Sequence, residues 1–195
     1  MSADSHIAFK EWAVVVDALG RGEQALILRK GGIHERHGWF QLAHREFWLF
    51  PTQFHEAETA VIPSHRPALR ALAALPPATT VAIQFYAVVA AVHSVTEPAL
   101  LPRLHGRHIW SESVVQQRFA FGRAPGLLVL VTRILRLPAP ERLPLDPRYG
   151  GCQSWVELAR PLATSALTPV LADDLFATQQ NEIADLLHPH ALAPS

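Results

Sequence analysis

The fold is decided by the stretch WAVVVDALGRGEQALILRKGG, which runs from Trp12 to Gly32. It holds two apolar runs, residues 12–18 and 24–30, that Gly20-Arg21-Gly22 separates. Two such runs joined by a short segment with glycines are typical of a β-hairpin. Because both runs are almost continuously apolar, both faces of each strand should be covered. We therefore predict a buried hairpin at the centre of the fold.

Further elements follow outward from this stretch. An aromatic strand, FWLF at 47–50, ends at Pro51, and Pro76-Pro77 ends a helix that Ser64 begins. Apolar runs predict the remaining strands, at 79–92, 126–137 and 154–158, and caps predict short helices from Thr96 and Ser111 and an amphipathic helix from Asp173 to Leu187. Strands and helices do not alternate as in a parallel βαβ sheet. We predict an α+β fold with a small, strongly bent or barrel-like mixed β-sheet, peripheral helices and an amphipathic C-terminal helix.

Length and composition indicate one folded domain. The chain has 195 residues, of which 49% are hydrophobic and 17% charged. These fractions argue against disorder, and the length suits a single core. We predict a globular domain at 9–188 with flexible tails at 1–8 and 189–195.

The compartment and the charge exclude several classes of partner. Cys152 is the only cysteine, so an intrachain disulfide is impossible and a reducing compartment is indicated. The N-terminal residues lack a signal peptide's apolar core, and the apolar run at 81–92 is too short for a membrane helix. We predict a cytoplasmic protein that does not bind membranes. Since Lys+Arg and Asp+Glu are both 17, attraction to nucleic acid would need a local basic patch.

The basic turn Arg29-Lys30-Gly31-Gly32 is the first candidate for such a patch. Two cations and successive backbone N–H groups at a strand end can hold a phosphate or a carboxylate. The alternative is a structural strand end, because neither a P-loop nor a dinucleotide glycine pattern is present. With Lys10 as a further cation and Trp12 and Trp155 as aromatic edges, these residues predict a site for nucleic acid or a nucleotide.

Lys10-Glu11-Trp12 has a structural alternative as well. In it, Trp12 belongs to the core and Lys10 and Glu11 form a solvated pair.

A hydrolase is the rival hypothesis. A third hypothesis is a protein-interaction module that uses exposed prolines. His55-Glu56 offers a base near neutral pH beside a carboxylate, and Arg29 would clamp an anion. The substrate would be a phosphorylated or acylated small molecule. Adjacent strand residues point to opposite faces, so a dyad requires that the chain turn there.

Metal and cofactor sites are not predicted. The two His-x-x-His pairs, at 34–37 and 105–108, lack the further ligands that zinc needs. No cofactor motif is present, and Cys152 and Ser154 are interpreted as structural.

Four stretches carry a resemblance to a known family: Phe9 to Ala13, Leu28 to Ile33, Phe47 to Thr52 with His55, and Gly151 to Trp155. Together they resemble the bacterial family called domain of unknown function 1802. The resemblance extends from Phe9 to about Leu187. The family has no established activity, so the resemblance implies boundaries and leaves the chemistry open.

A second likeness concerns the fold. Small barrels related to pseudouridine synthases and archaeosine transglycosylases, including the activating-signal-cointegrator homology (ASCH) group, carry the motif Gly-x-Lys-x-x-Glu-x-Arg. Gly22 and Arg29 stand at the matching spacing, whereas Gln24 and Ile27 replace the lysine and the glutamate. The likeness implies a barrel-like fold, and the two replacements argue against the amidohydrolase chemistry that part of that group carries out.

Overall fold

The computed structural model describes residues 4–30, 42–53, 58–75, 78–122 and 124–188. Their strands are β1 (Asp4–Trp12), β2 (Leu26–Arg29), β3 (Glu46–Thr52), β4 (Thr80–Val95), β5 (Leu127–Pro144), β6 (Trp155–Ala163) and β7 (Thr168–Pro169). Their α-helices are α1 (Ala13–Gly20), α2 (Arg66–Ala73), α3 (Glu112–Ala120) and α4 (Asp173–Leu187). Short 3₁₀ turns lie at Glu58–Ala60, Pro63–His65, Pro98–Leu104 and Pro147–Tyr149.

All seven strands belong to one mixed sheet. Its order is β2-β5-β4-β3-β1-β6, with β7 also paired to β5. β1 and β3 are parallel, and the other pairs are antiparallel. The sheet is curled, because Arg29 at the end of β2 donates a hydrogen bond of 2.6 Å to Ser154, which precedes β6 at the opposite end of the strand order. It is not closed, since β2 and β6 do not pair with each other. The predicted α+β fold with a strongly bent mixed sheet is confirmed.

The two faces of the sheet support two hydrophobic clusters. On β1, Phe9 belongs to the larger cluster and Ala8 to the smaller one, and on β3 Phe47 and Trp48 divide in the same way. This division follows from the alternation of side chains along a strand. The larger cluster also holds the buried residues of α1, β2, α3 and α4, so the helices pack on that side.

The predicted central hairpin is wrong, because its first run is helix α1. Gly22 has φ +72, its N–H donates to the Leu19 carbonyl at 3.1 Å, and the Glu23 N–H donates to the Ala18 carbonyl at 3.0 Å. This is the Schellman arrangement that ends a helix at a glycine. A glycine segment after an apolar run therefore served as a helix C-cap. A short apolar run does not by itself distinguish a buried helix from a buried strand.

Other boundaries agree more closely with expectation. The long strand becomes β4, whose pairing with β5 shifts between Ile83 and Phe85 and between Val89 and Ala91, as expected of a strand that bends. The amphipathic helix becomes α4, with Phe176 and Ile183 buried.

Two segments differ from their predictions. Residues 4–8, expected in a flexible tail, begin β1. β5 continues past Leu137 to Pro144, and its Pro138 and Pro140 lie where the pairing with β4 is shifted. The other predicted tail, beyond His188, lies outside the described residues. In the described part of the chain, no helix has the length and apolar character to span a bilayer.

Candidate functional site

Three of the predicted binding residues lie on one cavity of about 350 Å³, which we call the Arg29 cavity. It is formed where β1 passes into α1, where β2 ends, and along α3. Its described lining is Trp12, Leu28, Arg29, Lys30, Val114, Gln117, Arg118 and Phe121. Trp12, Arg29 and Lys30 therefore line one cavity, and their role in binding stays a prediction.

Arg29 is held from three directions. One Nη2–H donates to the Ser154 hydroxyl at 2.6 Å, and Nη1 lies 3.8 Å from Oε2 of Glu11. The guanidinium also lies 4.6 Å from the centre of the Phe9 ring. Its position is thus set by both edge regions of the curled sheet, and the charge-assisted bond to Ser154 is stronger than a bond between neutral groups.

Glu11 was expected in a solvated pair with Lys10, and that expectation is wrong. The residue is 2% exposed, and its Oε1 accepts the Trp12 N–H at 2.8 Å. Glu11 shares a strand face with Phe9, since the two are separated by two positions, and this face points into the larger cluster. A buried carboxylate needs a charged or hydrogen-bonding partner, and Arg29 is the cation beside it. The spacing from Phe9 was the signal that sequence reasoning missed.

Lys30 connects the end of β2 to the turn after α3. Its Nζ donates to the carbonyl oxygens of Phe119 at 3.1 Å and Ala124 at 2.5 Å. Burial lowers the pKa of Lys30 from its usual value. These two acceptors are neutral carbonyls, so the bonds position the ammonium group without cancelling its charge.

Arg118 on α3 is a residue of the cavity that sequence reasoning did not single out. Its guanidinium lies 3.8 Å from the centre of the Trp110 ring and 5.8 Å from that of Trp12. The two indoles meet edge to face, with centres 4.5 Å apart. Arg118 also donates to the Leu28 carbonyl at 3.4 Å. Cation–π contacts of this kind orient a guanidinium while leaving its charge in place.

The charges around the Arg29 cavity are unequal. Arg29, Lys30 and Arg118 are cations, and the described residues that line the cavity include no carboxylate. Glu11 lies within ion-pair distance of Arg29. The contacts of the three cations also include carbonyls, a hydroxyl and aromatic rings. The described lining therefore combines three cations with an aromatic and aliphatic wall.

Two predicted binding residues lie elsewhere. Lys10 projects from the opposite face of β1 to Phe9 and lines a different cavity. Trp155 packs edge to face on Phe9 and Phe47, with ring centres 4.9 and 5.0 Å apart. Trp155 therefore supports the wall beneath Arg29. Lys10 and Trp12, two positions apart, line different cavities, because β1 ends at Trp12 and the chain turns into α1.

Four predicted site residues lie outside the described residues: Gly31, Gly32, His55 and Glu56. The glycine part of the anion-binding turn, and His55 with Glu56 as a catalytic pair, stay predictions.

Comparison with solved structures finds an ASCH protein of Zymomonas mobilis. It has 12% sequence identity and a TM-score of 0.41, covering 92% of this chain and 94% of that one. A variant of that protein, in which a serine is replaced by alanine, has 16% identity and a TM-score of 0.43, covering 93% and 96%. No curated protein matches the chain.

Comparison with protein families gives a match over most of the chain. The family described as Domain of unknown function (DUF1802) matches residues 8–182. The match includes the second half of β1, all of β2 to β7 and most of α4. The chain belongs to the DUF1802 family.

Proposed function

We propose that this protein binds a nucleotide unit, either within single-stranded nucleic acid or as a free nucleotide, in the Arg29 cavity. The observation that carries the proposal is the convergence of Arg29, Lys30 and Arg118 with Trp12 on one cavity. Arginine and lysine donors suit phosphate oxygens, and an indole suits the face of a base. The ligand then meets both kinds of group at once.

The size of the cavity supports a small unit of nucleic acid. Its volume of about 350 Å³ lies near the lower end of the range of roughly 300–1,000 Å³ that is usual for small-molecule sites. A duplex presents its phosphates along an extended surface and hides the faces of its bases. A nucleotide with an accessible base fits the arrangement better, since stacking on Trp12 requires an exposed face.

Gln117 adds a polar group to the same wall. It is exposed on α3, lines the cavity and carries both a donor and an acceptor in its amide. In the bound state it would meet the edge of a base or a sugar hydroxyl. It also offers a position at which charge can be changed without removing a contact of the core.

The test is a charge change at this position. Gln117→Glu places a negative charge in the cavity, whereas Gln116→Glu places it on the neighbouring exposed residue of α3, which does not line the cavity. A new charge roughly 6 Å from a phosphate, at an effective dielectric constant of about 40, costs about 1.4 kcal/mol. We expect about tenfold weaker binding for Gln117→Glu and less than twofold for Gln116→Glu.

The assay uses fluorescence anisotropy with labelled single-stranded RNA and DNA oligonucleotides, and tryptophan quenching with mononucleotides. Binding should weaken as salt rises, because phosphate contacts release counterions. Melting temperatures of both variants check that the fold is retained. Equal affinity of the two variants, or binding that salt leaves unchanged, would overturn the proposal. The two ligand sets separate a nucleic-acid strand from a free nucleotide as the source.

A further inference from the structure

A second cavity, on the other side of β1, has about twice the volume of the first. It measures about 660 Å³ and lies among the ends of β1, β3, β4 and β5, with a wall from α2. We call it the Lys10 cavity. Its apolar lining includes Phe50, Leu72 and Leu145, and its charged lining is Lys10, Arg142 and Asp146. Leu145 is 47% exposed at this place, which leaves apolar surface open to solvent.

Lys10 is held in position at the wall of this cavity. Its Nζ donates to the carbonyl oxygens of Tyr149 at 2.7 Å and Gly151 at 2.8 Å. An ammonium group has three donors, so these two bonds fix its direction and leave one N–H for a further acceptor. Both of these acceptors are neutral carbonyls, so the two bonds hold the positive charge in a partly buried position without cancelling it.

The carboxylate of the cavity does not neutralise Lys10. Asp146 accepts hydrogen bonds from Arg148 at 2.8 Å from Nη2 and 3.0 Å from Nε, and from the Arg148 backbone N–H at 2.8 Å. Arg148 holds the pKa of Asp146 below its usual value through these bonds. Asp146 thus has a cation of its own, and among the described residues that line the cavity Lys10 and exposed Arg142 outnumber this one carboxylate.

We propose that the Lys10 cavity binds a small amphipathic carboxylate, with its carboxylate on Lys10 and its apolar body against Phe50, Leu72 and Leu145. Charge complementarity assigns the anionic end, and the predominantly apolar wall assigns the body. A carboxylate accepts the remaining N–H of the ammonium group, which is a charge-assisted hydrogen bond. The site is separate from the Arg29 cavity, since Lys10 and Glu11 project from opposite faces of β1.

The probe is octanoate, compared with octanamide, which has the same chain length and no charge. We expect isothermal titration calorimetry to give wild-type protein at least a tenfold preference for octanoate. Lys10→Met should abolish this preference and leave octanamide binding within twofold. Lys30→Met, the same change at the only other lysine, should leave the octanoate affinity unchanged.

A second variant keeps the test decisive if Lys10→Met fails to fold. Ala82→Phe fills the cavity from β4 and should abolish binding of both probes. In wild-type protein, amide chemical-shift changes on adding octanoate should centre on residues 80–82, 149 and 150. Failure of octanoate to bind, a preference that survives in folded Lys10→Met, or shifts centred on α3 would overturn the proposal.

Discussion

His108 should make the stability of this protein depend on pH between about 7 and 5. The residue is 4% exposed, and its pKa is lowered to about 4, first by burial and then by electrostatic repulsion from His105. Arg118 disfavours a further positive charge in the same way. In the unfolded chain the imidazole has its ordinary pKa of about 6.5. The folded state therefore excludes a proton that the unfolded state accepts.

The sign and size of this pH dependence follow from the different proton binding of the folded and unfolded states. At pH values above the unfolded pKa, both states are neutral and the residue costs nothing. As pH falls, the unfolded state gains a proton first, so stability is lost progressively down to the folded pKa. The full difference between the pKa of His108 in the unfolded and folded states corresponds to about 3 kcal/mol of stability, of which about 2 kcal/mol is lost between pH 7 and pH 5.

Urea unfolding at pH 7 and at pH 5 measures this loss. His108→Leu has no titrating group at the position, so its free energy of unfolding should fall by about 2 kcal/mol less than that of wild type over this interval. His6→Asn removes an exposed histidine on β1 that is not among the groups shifting the pKa of His108, so this control should lose as much stability as wild type. If wild type and His108→Leu lose the same stability between the two pH values, the reasoning about burial is refuted.

Two further predictions concern stability and use the same assay at pH 7. Gly22→Ala should lower the free energy of unfolding by about 1–2 kcal/mol, since φ is +72 and the new Cβ would lie 2.7 Å from a side-chain atom of Leu171. Gly106→Ala, where φ is +78 and no atom lies within 4 Å of the new Cβ, is the control and should lower it less. An equal loss in the two variants would contradict the clash with Leu171. Glu11→Ala should lower the free energy of unfolding by about 2–3 kcal/mol, because it removes the ion pair with Arg29. A loss below about 0.5 kcal/mol, which is typical of a surface substitution, would show that this ion pair contributes little to stability.

Local sequence patterns predicted those elements whose length or capping residues distinguish a helix from a strand. The helix from Asp173 has acidic residues in its first turn and a sustained amphipathic pattern, and the strand that becomes β4 is long and alternates. The run at 13–20 had neither property. Its three consecutive valines favour a strand, yet all three are buried in α1, where packing against the core outweighs the small difference in intrinsic propensity.

The candidate site was predicted in part, because only some of its residues carry a local sequence signal. Arg29 and Lys30 precede two glycines in the sequence, and Trp12 follows Lys10 and Glu11, so both features were visible in the sequence. Arg118 carries no local signal, because its role depends on α3 packing beside the end of β2. Glu11 carried a signal, its alternation with Phe9, but whether that face was buried depended on the helices that cover it.

The sequence by itself determined the fold class, the family, most strands and helices, and the basic character of the end of β2. These depend on composition, period and capping, which act between residues close along the chain. Only the tertiary structure decided that β1 lies parallel to β3, that Lys10 and Arg29 belong to different cavities, and that Arg118 joins Trp12. Such arrangements depend on burial shared by distant segments, and no local pattern specifies which distant segments will meet.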